Sequence, residues 1–230
     1  MTNWAVITTL NEQTSIASLV GSLRALELDI VVVDDGSDDE TVYEAREAGA
    51  YVIAHTLRVG IGPSLVEGWR FALGRGAERV VQLDAGGSHN PNDAINLLAR
   101  LNFADVVVGS RFLLGSIYEG NVKRAAMSRL ASTACNVKAF HRLSGISDWT
   151  SGYRAFDADS LEKLSRVVYS TTMHSWQIEV LQAAMMLKMS IAEIPITYDA
   201  GRSSFDRRIA REAFDVWRHP KLRLVEGSVA

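Results

Sequence analysis

Up to about residue 111 the chain alternates short apolar runs with stretches in which apolar residues recur every three or four positions. The runs Trp4–Thr9, Ile30–Val33, Tyr51–Ala54, Arg79–Leu83 and Asp105–Val108 are rich in valine and isoleucine and predict strands. Between them, Ile16, Leu19, Val20, Leu23 and Leu26 fall on one face of a helix. Strands alternating with helices over short connections predict an α/β fold, a mostly parallel sheet covered on both faces. After Arg111 the rhythm changes. The pattern predicts a helix over about 119–140, a polar turn at 144–154, a helix over about 174–188, a strand Ile191–Tyr198 and a final amphipathic helix over about 203–218.

Composition narrows the class. With 230 residues, 47% hydrophobic and 22% charged, the chain is long enough for one full core and reads as a single domain. Its net charge of −3 gives no global attraction to nucleic acid or anionic lipid, so such contacts need a local patch. The one cysteine, Cys135, excludes an internal disulfide and reads as packing in a reducing compartment. A strand begins at Trp4 without a signal-like start, and no apolar run reaches the roughly 20 residues of a membrane span. The expectation is a cytoplasmic protein, with room for peripheral contact at the inner face of a membrane.

The strand ends carry the chemistry. Asn11-Glu12 follows the first predicted strand, Asp34-Asp35-Gly36-Ser37 the second, Arg58-Val59-Gly60-Ile61-Gly62 the third, Asp84 the fourth and Gly109-Ser110-Arg111 the fifth. In an open parallel sheet the carboxyl ends share one edge, where ligands bind. Any one cluster also suits a turn or a helix cap, but together they describe a site. Carboxylates such as Asp34 and Asp35 accept hydrogen bonds from a base or ribose, Gly60 and Gly62 let backbone N–H groups approach, and Arg58 and Arg111 offer forked donors to phosphate. The ligand these imply is a nucleoside diphosphate. A dinucleotide fingerprint fits poorly, because Leu65 stands where its third glycine belongs.

The ordered segments TLNE at 9–12, VVVDDGSDDET at 31–41, LRVGIGPSLVEGW at 57–69, LDAGGSHNP at 83–91, VVGSRF at 107–112, SDWTSGYRAF at 147–156 and EIPITY at 193–198 resemble family 2 glycosyltransferases, most of all the polyprenyl-phosphate mannose or glucose synthases. The resemblance implies a GT-A, Rossmann-like fold and an inverting enzyme that moves a hexose from a GDP- or UDP-linked sugar. Residues 1–111 would form the nucleotide-sugar half and 112–230 the acceptor half. By that similarity Asn11, Glu12, Asp34 and Asp35 line the base and ribose site, Asp84 sits beside the diphosphate, and Arg111 belongs to the fifth strand's turn. Asp148, Gly152 and Arg154 form an acceptor-side loop, and Gln177 and Glu179 match a Q-x-E element on the helix behind the site.

Two departures change the chemistry expected. Gly86 and Ser88 replace the later acid and the further ligand of D-x-D, leaving Asp84 as the metal ligand, so Mg²⁺ or Mn²⁺ would be held mainly through the donor's phosphates or dispensed with. His89 reads more readily as a surface residue than as a ligand. Near the end, Gly201-Arg202-Ser203-Ser204-Phe205-Asp206-Arg207-Arg208 replaces the family's G-x-S-K, which makes Arg202, with Arg111 and Arg154, a candidate to neutralise the leaving diphosphate. Asp148 is the candidate general base for a hydroxyl acceptor, whereas a lipid phosphate needs none. Lys123, Arg124, Arg129 and Lys138 on one helix, and Arg207, Arg208, Arg211 and Arg218 with Phe205, Ile209 and Trp217 on the last, suit an anionic lipid surface. The leading acceptor is therefore a polyprenyl phosphate; the alternatives are a hydroxyl on a glycan or a modified nucleic-acid base, or a nucleotide-sugar-binding protein that has lost catalysis.

Overall fold

A computed structural model of the chain describes residues 1–120, 122–138, 145–173, 175–200 and 223–224. The predicted final helix, with Arg202, Phe205, Arg207, Arg208, Ile209, Arg211, Trp217 and Arg218, lies outside the described residues.

Strands β1 (Asn3–Thr9), β2 (Asp29–Asp34), β3 (Tyr51–Ala54), β4 (Arg79–Asp84) and β5 (Val106–Ser110) alternate with helices α1 (Ile16–Ala25), α2 (Thr41–Glu47), α3 (Ile61–Gly74) and α4 (Asp93–Arg100). After β5 come β6 (Ile117–Glu119), α5 (Val122–Lys138), β7 (Arg154–Asp157), α6 (Ala158–Ser165), β8 (Val167–Val168), α7 (Trp176–Met186), β9 (Ile191–Pro195), β10 (Thr197–Asp199) and β11 (Arg223–Leu224). The main sheet has seven strands in the order β3-β2-β1-β4-β7-β5-β9. Only β7 runs against its neighbours, pairing antiparallel with β4 and β5; the other pairs are parallel. The mostly parallel α/β architecture expected from the strand–helix rhythm is the one observed.

Side-chain alternation divides the core. Val6, Val31, Val33, Val80 and Phe156 face Leu65 and Trp69 of α3, Leu161 and Leu164 of α6, and Ile178 and Leu181 of α7. Ala5, Ile7, Val32, Val81 and Val107 face the other way, onto Ile16, Leu19, Val20 and Leu23 of α1, Ala45 of α2, and Leu97 and Leu98 of α4. Residues one apart thus serve different layers, as the pleat requires.

Three expectations need correction. The polar turn expected at 144–154 runs directly into β7, whose last residue, Asp157, caps α6 by accepting from the Ser160 N–H at 2.7 Å. The single strand expected over 191–198 is two: β9 pairs with β5, and past Ile196 the chain pairs as β10 with β6. The third concerns His89, which is buried, not at the surface.

Candidate active site

The chain leaves β1 for β2 on one side, while β4 lies on the other, so the sheet's order reverses between β1 and β4. Crevices at such points receive ligands in α/β folds. Here the crevice is bounded by the β1–α1 turn and the segment after Asp84.

On the β1 side, Asn11 adopts φ +56°, its N–H donates to Ser37 Oγ at 2.8 Å and its Oδ1 accepts from the Asp38 N–H at 3.0 Å. Buried Asp34 accepts from the N–H groups of Gly36 and Ser37 and from the Ser37 hydroxyl, which ties the β2–α2 loop. Asp35 accepts from the Val59 N–H at 2.7 Å and the Gly60 N–H at 3.0 Å, joining that loop to the start of α3. Gly60 sits at φ +97°, and a Cβ there would stand 2.5 Å from the Thr172 carbonyl oxygen. The Gly62 N–H donates to that same carbonyl at 3.0 Å. The expectation that these two glycines present N–H groups to a phosphate is therefore corrected: in this arrangement both N–H groups are used within the protein. Asp34 likewise spends its lone pairs on its own loop.

On the β4 side, Asp84 is half-buried and accepts no hydrogen bond from the described residues. Backbone forms the wall opposite it: a Cβ at Gly152 would lie 3.3 Å from Asp84 Oδ2 and 3.4 Å from Gln177 Nε2. Beneath them buried Gln82 accepts from Trp69 Nε1 at 3.1 Å and donates Nε2 to the Gly152 carbonyl at 3.1 Å, with Gln177 Oε1 3.4 Å away. Gln82 is a site-shaping residue that the sequence reading folded into an apolar run. The signal was a polar residue sharing the strand face of Asp84, two positions earlier. Glu179, fully buried, accepts from the N–H and hydroxyl groups of Ser170 and Thr171, so it holds the loop before α7 and presents nothing to the crevice.

The acceptor-side loop is organised around a buried ion pair. Arg111 donates Nε to Asp148 Oδ2 and Nη2 to Asp148 Oδ1, each at 2.7 Å, and Nη2 also reaches Thr150 Oγ1 at 2.6 Å. Burial alone would push the Asp148 carboxyl up, but the guanidinium holds it below the usual carboxylate range. The same pairing raises Arg111 against its own desolvation. Glu193 of β9, another residue the sequence reading did not single out, accepts from the N–H groups of Ser147 and Asp148 at 2.7 and 2.9 Å and so fixes the loop. The role of free general base expected of Asp148 does not fit this geometry, since its oxygens are all engaged. Arg111, expected to donate to phosphate, spends Nε and Nη2 on this loop instead.

Arg154 is fully buried in β7, donates Nη2 to the Trp149 carbonyl at 3.0 Å, and leaves Nε and Nη1 without a partner among the described residues. Burial works against its charge and pulls its pKa down to about 9. His89 lies between Tyr153 and Tyr198, with ring centroids 4.8 and 5.3 Å away, and its Nδ1 has no partner among the described residues. Desolvation lowers its pKa to about 4, against the pull of Asp84.

Helix α5 points its apolar residues outward. Val122, Leu130 and Val137 are 78%, 69% and 68% exposed, while Ser132 and Cys135 face in. Among the described residues no helix is long and apolar enough to cross a membrane. No group of three or more His, Cys, Asp or Glu among them stands together to hold a metal ion.

Residues 4–164 match the family described as Glycosyl transferase family 2. The chain is 32% identical over 220 residues to undecaprenyl-phosphate mannosyltransferase of Micrococcus luteus, covering 90% of this chain and 89% of that one. It is also 32% identical over 222 residues to polyprenol monophosphomannose synthase of Mycolicibacterium smegmatis, covering 90% and 82%. Among solved structures it resembles glucosyl-3-phosphoglycerate synthase of Mycobacterium tuberculosis in complex with Mn²⁺, UDP-glucose and phosphoglyceric acid, at 19% identity and a TM-score of 0.72 over 100% of this chain and 88% of that one. That likeness concerns the fold; the sequence match carries the membership, so the chain belongs to glycosyl transferase family 2 and is, by that membership, an inverting hexosyltransferase.

Proposed function

We propose that this enzyme moves a hexose from a UDP-linked sugar to a hydroxyl-bearing acceptor. The observation that carries the reading is Asp84: a carboxylate with open hydrogen-bonding capacity at the sheet's reversal point, walled by the backbone of Gly152. The donor's diphosphate and sugar would lie in that gap, with Asn11 and Asp35 on the base and ribose side. Solved relatives hold UDP with Mn²⁺ or Mg²⁺, which supports a divalent cation here as well. Asp84 would contribute a ligand to it, and the cation, when bound, would draw charge from the leaving diphosphate. Inversion places the acceptor hydroxyl on the face of the sugar opposite the leaving diphosphate, so with Asp148 engaged by Arg111 the hydroxyl's proton passes to solvent on the acceptor side. The paired Arg111 and Asp148 keep the acceptor loop in one shape.

A hydroxyl acceptor is supported by glucosyl-3-phosphoglycerate synthase, whose structures contain phosphoglyceric acid. A second reading, transfer to a polyprenyl phosphate, is supported by the names of the relatives at 32% identity and by the outward apolar residues of α5, which suit a lipid interface. The test is to incubate the enzyme and Mn²⁺ with UDP-glucose, UDP-galactose or GDP-mannose, and with phosphoglycerate in solution or polyprenyl phosphate in anionic vesicles, reading products by mass spectrometry. Transfer to the soluble acceptor, abolished in Asp84→Asn, is the expected result. Product only from vesicles moves the assignment to the lipid, and wild-type turnover in Asp84→Asn overturns the site.

A further inference from the structure

The missing acid at position 86 has a structural explanation. Gly86 has an ordinary backbone conformation, unlike Gly87 at φ +71°, so no left-handed turn requires glycine there. A Cβ at Gly86 would meet one side chain: Glu12, whose Oε1 would stand 3.2 Å away. Position 86 is bare where the carboxylate of Glu12 comes in.

Glu12 is held there by the turn that precedes it. Asn11 in its left-handed conformation reverses the chain after β1, the Glu12 N–H donates to Thr41 Oγ1 at 2.8 Å, and Glu12 Oε2 accepts from the Ser15 hydroxyl at 2.8 Å. Those contacts leave Oε1 turned to Gly86. The two segments are joined by the sheet itself: Thr8 of β1 pairs with Asp84 of β4, and the Ala85 N–H donates to the Thr8 carbonyl at 3.2 Å. Among the described residues neither Glu12 nor Asp84 has a salt-bridge partner. Two carboxylates on the two sides of one crevice, with no cation of the described residues paired to either, provide a place for a cation from solution.

Resting on the reading of a UDP-sugar donor, we infer that Glu12, reaching across from the β1–α1 turn, takes the place of the acid missing at position 86, so that a divalent cation is held by Asp84, Glu12 and the donor's diphosphate. The chemistry is that of a hard cation: two carboxylate oxygens from the protein, with phosphate and water oxygens completing the shell. Neither acid makes a site alone, and nucleotide is needed for tight binding.

The test is Mn²⁺ binding followed by electron paramagnetic resonance, with and without UDP, in wild type, Glu12→Gln and the exchange Glu12→Ala/Gly86→Asp. UDP affinity is measured in parallel in EDTA. Glu12→Gln is expected to weaken UDP-dependent Mn²⁺ binding by about tenfold or more while leaving metal-free UDP affinity unchanged, because the lost charge belongs to the cation's shell. The exchange should recover most of the loss by returning an acid to position 86. Unchanged Mn²⁺ affinity in Glu12→Gln overturns the inference, as does an equal loss of UDP affinity in EDTA, which would make Glu12 a ribose or base contact. If wild type binds no UDP under any condition, the donor reading itself fails, a result distinct from both.

Discussion

The guanidinium of Arg111 meets the carboxylate of Asp148 side-on, through two contacts of 2.7 Å, with both side chains buried. Each is a charge the interior tolerates only because of the other. Asp148→Asn would leave Arg111 a buried cation with half its partner, a change that costs about 3–5 kcal/mol when a buried pair is broken. Urea denaturation should show that loss. In a double-mutant cycle, Arg111→Met with Asp148→Leu should recover much of it. A stability change below about 1 kcal/mol in Asp148→Asn would mean the pair is solvated and weak.

Gly62 tests a different distinction. A Cβ there would lie 2.6 Å from Cδ1 of Trp176, which is buried against Trp69. Gly62→Ala should therefore cost about 1–3 kcal/mol by overpacking, with α3 and α7 forced apart. UDP affinity per folded molecule should stay unchanged, because the Gly62 N–H already serves Thr172. Selective loss of nucleotide affinity at full stability would return Gly62 to the ligand.

The strands and helices up to β5 were legible because parallel strands buried on both faces leave unbroken runs such as Val31-Val32-Val33. β7 was not, because it is short and opens on Arg154, whose charge masks an inward position. The break at Ile196 escaped notice for another reason: both halves favour strand, and which neighbour each pairs with is decided by β5 and β6 far away in sequence. Of the site, residue types could be read and their targets could not. Asp34, Asp35 and Glu179 are carboxylates at strand ends or behind the crevice, as expected, yet they accept from backbone N–H groups of the protein's own loops. Only partners brought in by the fold separate Asp84, left open, from Asp148, fully engaged. His89 was misjudged because Tyr153 and Tyr198, which enclose it, come from distant segments.

That enclosure gives a pH prediction. The His89 pKa is lowered by burial to about 4, from an ordinary value of 6.5. Between those two values the unfolded chain binds a proton that the native state does not, so stability falls as pH drops from 6.5 towards 4. The loss attributable to His89 is on the order of 3 kcal/mol. His55 acts in the opposite sense: although desolvation opposes it, Glu67 and Asp35 raise its pKa, so its contribution is present below pH 6.5 and is lost as pH rises through the folded value. Melting curves from pH 4 to 8 should show His89→Asn flattening the acid limb and His55→Gln flattening the alkaline one. An unchanged acid limb in His89→Asn would show that the ring is protonated and paired in the native state.

Arg154 carries the last prediction, because its position costs stability without an evident structural return. It is fully buried, among the described residues only Nη2 has a partner, and the carboxylate that favours its charge, Asp148, already belongs to Arg111. Arg111 and Asp148 neutralise one another, which leaves the charge of Arg154 behind the loop that contains Gly152, on the strand face shared with Asp84. Such a charge is retained where it acts on something negative, and the leaving diphosphate is the negative group this chemistry generates. Arg154→Met keeps the bulk and removes the charge. Replacing a poorly paired buried ion with an apolar side chain is typically neutral or stabilising by about 1–4 kcal/mol, so urea denaturation should show no loss. The turnover number should fall while the apparent KM for the donor stays close to wild type, because the charge is needed most as the glycosyl–phosphate bond breaks. Wild-type turnover in a stabilised Arg154→Met would show that the charge takes no part in the reaction, and a loss of several kcal/mol would show that ordered water satisfies Nε and Nη1 and that the arginine holds the fold.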